Sequence, residues 1–221
     1  MVLSIQNMPK DLIFLHGLGQ TPSSWKETAA LLPQDIKAHC PDLFALCEDN
    51  TMTYEKIYLA FEKYAANFSN TIHICGISLG AILALHYTLN HADKVSSLVL
   101  IAPQYKMPKL LLKIQNIAFR FMPEKEFLKI GITKQNIIRL TDSMKRLDFE
   151  KDLGNISSPT LIICGQNDTA NRKAARKMAD LISDAALHFI DKAGHEVNVV
   201  APEKLAAILN GFYARERGKG L

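Results

Sequence analysis

Ser78 is a candidate nucleophile because of the turn that its surroundings predict. It lies in the pentapeptide Gly-Ile-Ser-Leu-Gly at positions 76–80, between an apolar run at 71–75 and a helix-like run at 81–85. A sharp strand-to-helix turn needs glycines where a Cβ would clash, and it leaves the serine hydroxyl exposed above the sheet. A Gly-x-Ser-x-Gly pattern alone also matches ordinary turns, so the rest of the chain has to decide.

A serine hydroxyl needs a general base within hydrogen-bond reach and a third group that orients the base. His195 lies in a loop between the apolar run at 186–190 and a helix that begins near Pro202, which suits a base leaning over the sheet edge. Asp168 follows the apolar run at 160–164 and is the candidate carboxylate that holds the imidazole. The predicted catalytic residues in chain order are Ser78, Asp168 and His195.

Two backbone N–H groups are candidates for an oxyanion hole. Leu79 is the first residue of the predicted helix, where the helix dipole adds partial positive charge. The sequence His16-Gly17-Leu18-Gly19 follows the apolar run at 12–15, and its glycines permit a turn that brings the Leu18 N–H to the serine. We expect His16 to hold this loop and not to act as a base, since a base must reach the nucleophile's proton.

Four segments in this order resemble the α/β-hydrolase superfamily, in particular its compact single-domain esterase and lactonase-like members with a helical lid. The resemblance implies that Ser78 is the nucleophile, Asp168 the acid and His195 the base, with Leu18 and Leu79 as oxyanion donors. The segments are LIFLHGLGQTPSSW, IHICGISLGAILALHYTLNHADKVSSLVLIAP, ISSPTLIICGQNDTANRKAARKMADLI and LHFIDKAGHEVNVVAPEKLAAILNGFY.

The chain departs from the family pattern in two places. The family often opens with a β-hairpin, but only eleven residues precede Leu12, so we expect that edge of the sheet to be trimmed. Many relatives have a proline shortly after the acid, whereas residues 168–172 read Asp-Thr-Ala-Asn-Arg, so the acid loop is expected to differ in shape.

Apolar runs alternate with helix-like runs, which predicts an α/β fold: a mostly parallel central sheet with helices on both faces. Residues 1–103 and 159–221 are assigned to this core. Strands are expected near 11–15, 36–40, 71–75, 97–101, 160–164 and 186–190, and helices near 23–32, 53–68, 79–90, 171–182 and 202–214.

Residues 104–158 interrupt the alternation and are predicted to be an inserted helical lid. Helices are expected at 108–121 and 134–147, and their apolar faces are candidates for lining an acyl pocket. The segment holds eleven Lys or Arg and six Asp or Glu, so it either attracts anionic substrates or an anionic interface, or forms an ordinary solvated face. Asp142 would be an alternative acid only if the lid folded over His195. The apolar residues of the first helix are Leu111, Leu112, Ile114, Ile117, Ala118 and Phe121.

Length and composition exclude several classes of protein. The 221 residues suffice for one buried core, the formal net charge is +4, and no run of eighteen apolar residues occurs. The N-terminus shows no basic region or cleavage site, so we expect a cytoplasmic protein without signal peptide or stable membrane association. Neither a zinc or disulfide cysteine pattern nor a nucleic-acid-binding module is present, and no cofactor or metal is expected.

These residues predict a serine esterase that forms an acyl-enzyme with a small acyl substrate. A carboxylic ester is the leading substrate, ahead of a thioester, a lactone or a carbon–carbon bond. The same triad serves all four, and fold analogy does not choose between them. A small-molecule-binding member of the fold without turnover stays open as an alternative. The sequence does not reveal the oligomeric state.

Overall fold

The computed structural model describes residues 11–47 and 51–218. Within these residues six strands form one parallel sheet in the order β2-β1-β3-β4-β5-β6. The α/β fold with a parallel sheet that the alternation predicts is confirmed, as is the architecture that the resemblance implies. The strands are β1 Asp11–Leu15, β2 Lys37–His39, β3 Ile72–Ile77, β4 Val95–Ile101, β5 Thr160–Gly165 and β6 Ala185–Ile190.

Helices connect the strands and cover both faces of the sheet. Residues 1–10, on which the expectation of a trimmed sheet edge partly depends, lie outside the described residues. In the described part, no helix is long and apolar enough to cross a membrane. The helices are α1 Lys26–Ala30, α2 Tyr54–Ala65, α3 Leu79–Asn90, α4 Lys109–Phe121, α5 Glu124–Leu128, α6 Lys134–Met144, α7 Arg172–Leu181, α8 Val197–Val200 and α9 Pro202–Gly218.

Alternating side chains of each strand enter two separate hydrophobic cores. In β1, Leu12 and Phe14 pack with Trp25 and α9 on one face, whereas Ile13 and Leu15 pack with α2 and α3 on the other. The Trp25 ring is fully buried and stacks on Phe14 with ring centroids 4.6 Å apart. Because both faces are buried, the strands are continuously apolar, as expected for a parallel sheet.

The strand order reverses between β1 and β3. The chain moves from β1 outward to β2, and from β3 in the opposite direction through β4 and β5 to β6. Open α/β sheets bind ligands at the carboxyl ends of the strands beside such a reversal. The loop after β1 and the turn after β3, which contains Ser78, both start at this position.

The segment between β4 and β5 contains three helices, one more than predicted. The short helix α5 was missed, and α6 ends at Met144, three residues before the predicted end. Helix α6 is fixed to the sheet domain because the Tyr54 N–H at the start of α2 donates to Ser143 Oγ at 2.8 Å. Its buried residues Ile137, Leu140 and Met144 belong to the same core as α2 and α3.

The apolar residues of α4 do not all face the protein. Leu112 is buried, but Ile114, Ile117 and Phe121 are exposed to solvent, so the idea that they line a pocket is wrong for these three. The Leu111 side chain lies outside the described residues. Asn116 of the same helix is buried, and its Nδ2 donates to Asp142 Oδ1 at 2.6 Å.

The close packing of α3 on β1 yields a stability prediction. A Cβ on Gly80 would lie 2.1 Å from the Leu15 carbonyl oxygen, so Gly80→Ala should lower the free energy of unfolding by about 2–3 kcal/mol. Gly211→Ala is the matched control, because a Cβ there meets nothing within 4 Å. An alanine in a helix raises the free energy of unfolding by up to about 1 kcal/mol relative to glycine. Urea unfolding measures both; equal stability of Gly80→Ala and the wild type would contradict the packing argument.

Candidate active site

Ser78 occupies a strained turn between β3 and α3. Its backbone has φ 54° and ψ −113°, a conformation that L residues rarely adopt. The turn can close because Gly76 has no Cβ, which would lie only 2.2 Å from the Gly80 carbonyl oxygen. Neither glycine can be replaced without displacing backbone. The Ser78 N–H donates to the Ile101 carbonyl of β4 at 2.9 Å, which fixes the turn to the sheet.

His195 and Asp168 form a hydrogen-bonded pair. The His195 Nδ1 lies 2.9 Å from Asp168 Oδ2, and Asp168 is only 6% exposed. Burial by itself raises the pKa of Asp168, but hydrogen bonds from His195 and Asn171 outweigh it and hold the pKa below its ordinary value. Asp142 instead contacts Lys145 and Asn116 in the inserted segment.

The loops that carry Asp168 and His195 approach each other through backbone. A Cβ on Gly165, at the end of β5, would lie 2.0 Å from the Gly194 carbonyl oxygen. The Asn167 N–H also donates to the Ala193 carbonyl at 2.9 Å. Gly165 therefore permits the contact that brings Asp168 within reach of His195.

Asn171 was not singled out from the sequence, although it contacts both members of this pair. Its Nδ2 lies 2.9 and 2.8 Å from the two carboxylate oxygens of Asp168 and 3.1 Å from His195 Nδ1. Gln104, the third residue after the end of β4, donates to Asn171 Oδ1 at 2.7 Å. Position 171 falls three residues after the acid, a spacing that could have indicated Asn171; Gln104 is distant in sequence and gave no such signal.

The loop after β1 lies directly beside Ser78. A Cβ on Gly17 would be 3.5 Å from Ser78 Cβ. His16 is fully buried, and its Nε2 accepts from the Leu43 N–H at 3.0 Å while Nδ1 faces the Gly17 carbonyl at 3.0 Å. Burial lowers the pKa of His16, despite smaller opposing effects of the Gly17 carbonyl and Asp42, so this histidine is neutral and supports the loop.

A buried amide joins the loop after β1 to the base loop. Gln20 accepts from the Gly17 N–H at 3.2 Å and donates to Glu196 Oε1 at 3.1 Å. Asn198 exchanges hydrogen bonds with the same Gln20 side chain, each at 3.2 Å. These contacts fix the residue after His195 relative to the residue before Leu18, and no local sequence pattern predicted them.

One cavity of about 380 Å³ brings the predicted site residues together. Ser78, Asp168, His195, Leu18 and Leu79 all lie in its wall. As the first residue of α3, Leu79 has an N–H without an intrahelical partner. The remaining wall is mostly apolar. Most of it comes from the inserted segment, with Gln104, Met107, Pro108, Leu112, Gln115, Thr141 and Met144. Ile82, Ala170 and Asn171 complete it.

Comparison with known proteins identifies the family. The model of the alpha/beta hydrolase family matches residues 12–208, which is most of the chain. The chain belongs to the α/β-hydrolase family.

Curated relatives of this α/β hydrolase include a pimeloyl-[acyl-carrier protein] methyl ester esterase of Vibrio cholerae. The two are 24% identical over a 250-residue alignment covering 96% of this chain and 97% of the relative. A monoacylglycerol lipase of Xenopus laevis is 20% identical, with coverages of 91% and 74%. Among solved structures, a thermophilic esterase from Thermogutta terrifontis has a TM-score of 0.79 at 18% identity, covering 94% of this chain and 90% of that one.

The contacts of Asn171 yield a prediction about acid titration. Asn171→Ala removes hydrogen bonds that favour the charged carboxylate, so it should raise the pKa of Asp168, measured by carboxyl ¹³C NMR. Asn167→Ala, an exposed asparagine in the same loop, should leave that pKa unchanged.

Stability should follow the same titration. Because the folded pKa of Asp168 is lowered, its contribution is complete above the unfolded pKa of about 3.9 and is lost as pH falls through the lower folded pKa. The unfolding free energy of Asn171→Ala should therefore fall less on acidification than that of the wild type. An unchanged pKa in Asn171→Ala would contradict the assigned role of these hydrogen bonds.

Proposed function

We propose that this α/β hydrolase is a serine esterase that cleaves a small carboxylic ester or a related acyl substrate. Ser78 is the nucleophile, His195 the general base and Asp168 the residue that orients the base. The N–H groups of Leu18 and Leu79 form the oxyanion hole. The observation that carries the proposal is the His195–Asp168 hydrogen bond of 2.9 Å at a cavity that Ser78 also lines.

The reaction proceeds in two acyl-transfer steps. Ser78 Oγ attacks the ester carbonyl carbon while His195 Nε2 takes the hydroxyl proton, and the oxyanion accepts hydrogen bonds from the two amides. Collapse breaks the bond to the alcohol, which leaves with the proton from His195. Water then attacks the acyl-enzyme and gives a proton to His195. As the bond between the acyl group and Ser78 Oγ breaks, His195 returns that proton to Oγ and the carboxylic acid leaves.

The electrostatics of the pair support this division of roles. Asp168 is buried with a lowered pKa, so it stays ionised and favours the imidazolium that forms during attack. The Asp168 contact with Nδ1 leaves Nε2 of His195 for the proton of Ser78. The strained backbone of Ser78 favours an enzyme over a pure binder, because a binding protein gains nothing from an exposed strained serine.

The inserted segment supports a role as a lid that shapes the acyl pocket. Met107, Leu112 and Met144 supply apolar wall to the cavity that Ser78 also lines, and Gln104 connects the segment to Asn171 beside Asp168. An apolar cavity of about 380 Å³ suits a small to medium acyl chain. The relative named as a methyl ester esterase supports an ester over the other acyl bonds.

The first prediction of this proposal concerns the triad. Ser78→Ala and His195→Ala should each fold normally, lose labelling by a fluorophosphonate probe, and lower kcat for p-nitrophenyl esters by at least about a thousandfold. Asp168→Asn should lose somewhat less activity. Asp142→Asn is the carboxylate control and should keep wild-type activity; activity lost in Asp142→Asn but kept in Asp168→Asn would place the acid in the inserted segment.

The second prediction concerns the acyl pocket. Leu112 lies in the cavity wall, so Leu112→Ala should shift kcat/KM toward longer acyl chains by about tenfold, as expected for a few methylenes in an apolar pocket. Ile117→Ala lies on the same helix but faces solvent and should not change the preference. A panel of p-nitrophenyl esters of rising chain length measures both variants. An equal shift in the two variants would mean that helix stability, and not pocket shape, causes the change.

A further inference from the structure

The outer face of α4 presents a continuous apolar surface to solvent. Leu110, Ile114, Ile117 and Phe121 are 70%, 55%, 48% and 85% exposed. Their spacings of four, three and four residues place them in one stripe along the helix, which we call the outer stripe. The other exposed large apolar side chains among the described residues are Leu31, Leu59, Met122, Leu128, Leu181 and the sequence neighbours Val199 and Val200. A continuous stripe of this kind marks an interaction surface.

Helix α4 carries two apolar faces that point in opposite directions. Leu112, Asn116 and Phe119 face the protein interior, on the side of the helix opposite the outer stripe. Packing among the residues that the structure describes therefore explains the inner residues only. The outer stripe needs another reason for its composition, since an ordinary solvated helix face is polar.

The charges beside the outer stripe have a single sign. Lys109, Lys113 and Arg120 are exposed along one edge of it, and α4 contains no acidic residue. The carboxylates that follow the helix in sequence are Glu124, which accepts from the Lys134 N–H, and Glu126, which pairs with Lys129. The surface thus combines an apolar centre with a cationic edge, the pattern of helices that lie in the headgroup region of anionic membranes.

We propose that the outer stripe docks α4 onto an anionic lipid surface, which places the cavity beside the lipid phase. The inner residue Leu112 and Gln115 line the cavity, so the same helix touches the lipid on one side and the candidate site on the other. Such docking is peripheral and reversible, and needs no membrane-spanning segment.

Two other occupants fit less well. A thirteen-residue helix is about 20 Å long and about 10 Å wide, so one face offers about 200 Å². This area is far short of the roughly 800 Å² per partner of a stable protein interface. An acidic protein partner would be matched by cations at the centre of the contact, whereas the centre of the outer stripe holds only aliphatic and aromatic side chains.

Vesicle flotation of the full chain tests the proposal. The wild type should float with vesicles of equal phosphatidylcholine and phosphatidylglycerol, more weakly with phosphatidylcholine alone, and less at high salt because screening shortens the field. Ile117→Ser combined with Phe121→Ser should lower the partition coefficient at least tenfold. Leu31→Ser combined with Leu59→Ser, two exposed leucines elsewhere, is the matched control and should float like the wild type.

A charge pair tests the cationic edge. Lys113→Glu with Arg120→Glu should weaken flotation with the anionic vesicles about fivefold or more for each cation lost, and Lys26→Glu with Lys204→Glu should change it little. All variants should hydrolyse a soluble short-chain ester like the wild type. Because flotation needs no turnover, failure of the esterase proposal leaves this test intact.

Three results would overturn the docking proposal. The first is a wild type that floats with neither vesicle. The second is equal loss of flotation in the outer-stripe and control variants. The third is a concentration-dependent dimer in sedimentation that Ile117→Ser with Phe121→Ser abolishes, since it would assign the surface to a second copy of the chain.

Discussion

The backbone turn at Ser78 constrains how closely β3, α3 and the neighbouring strands pack. A residue with φ 54° between a buried strand and a buried helix is held only because β3 and α3 are fixed on both sides. Gly76 and Gly80 allow α3 to approach β3 and β1 more closely than any Cβ would permit, and the Ile101 carbonyl of β4 holds the Ser78 N–H. The strain of about 1–3 kcal/mol is balanced by packing in the two cores.

The loops that meet this turn are joined by buried polar side chains. Gln20 connects the loop after β1 to the segment after His195, while Asn171 and Gln104 connect the acid to the start of the inserted segment. Each loop alone would expose backbone groups and move freely. Because buried amides lose free energy when they lack partners, these contacts restrict the loops to one mutual arrangement.

Helices α6 and α4 of the inserted segment pack against the core to different extents. Helix α6 shares the core of α2 and α3, so this part of the segment is as fixed as the sheet. Helix α4 lies farther out and divides its apolar residues between the cavity and solvent. A single helix therefore lines the cavity with one face and exposes apolar side chains to solvent with the other.

The sequence by itself indicated the six strands, most of the helices and the loops that carry Ser78, Asp168 and His195, because period, glycine placement and strand ends are local properties. It misjudged the direction of the α4 side chains, since a helix with apolar residues on two faces shows only which residues are apolar and not which face the core covers. Tertiary structure alone decided the contacts of Asn171 with Gln104 and of Gln20 with Asn198. Those partners are distant in the chain, and only the strand order brings the loops that carry them to one edge of the sheet.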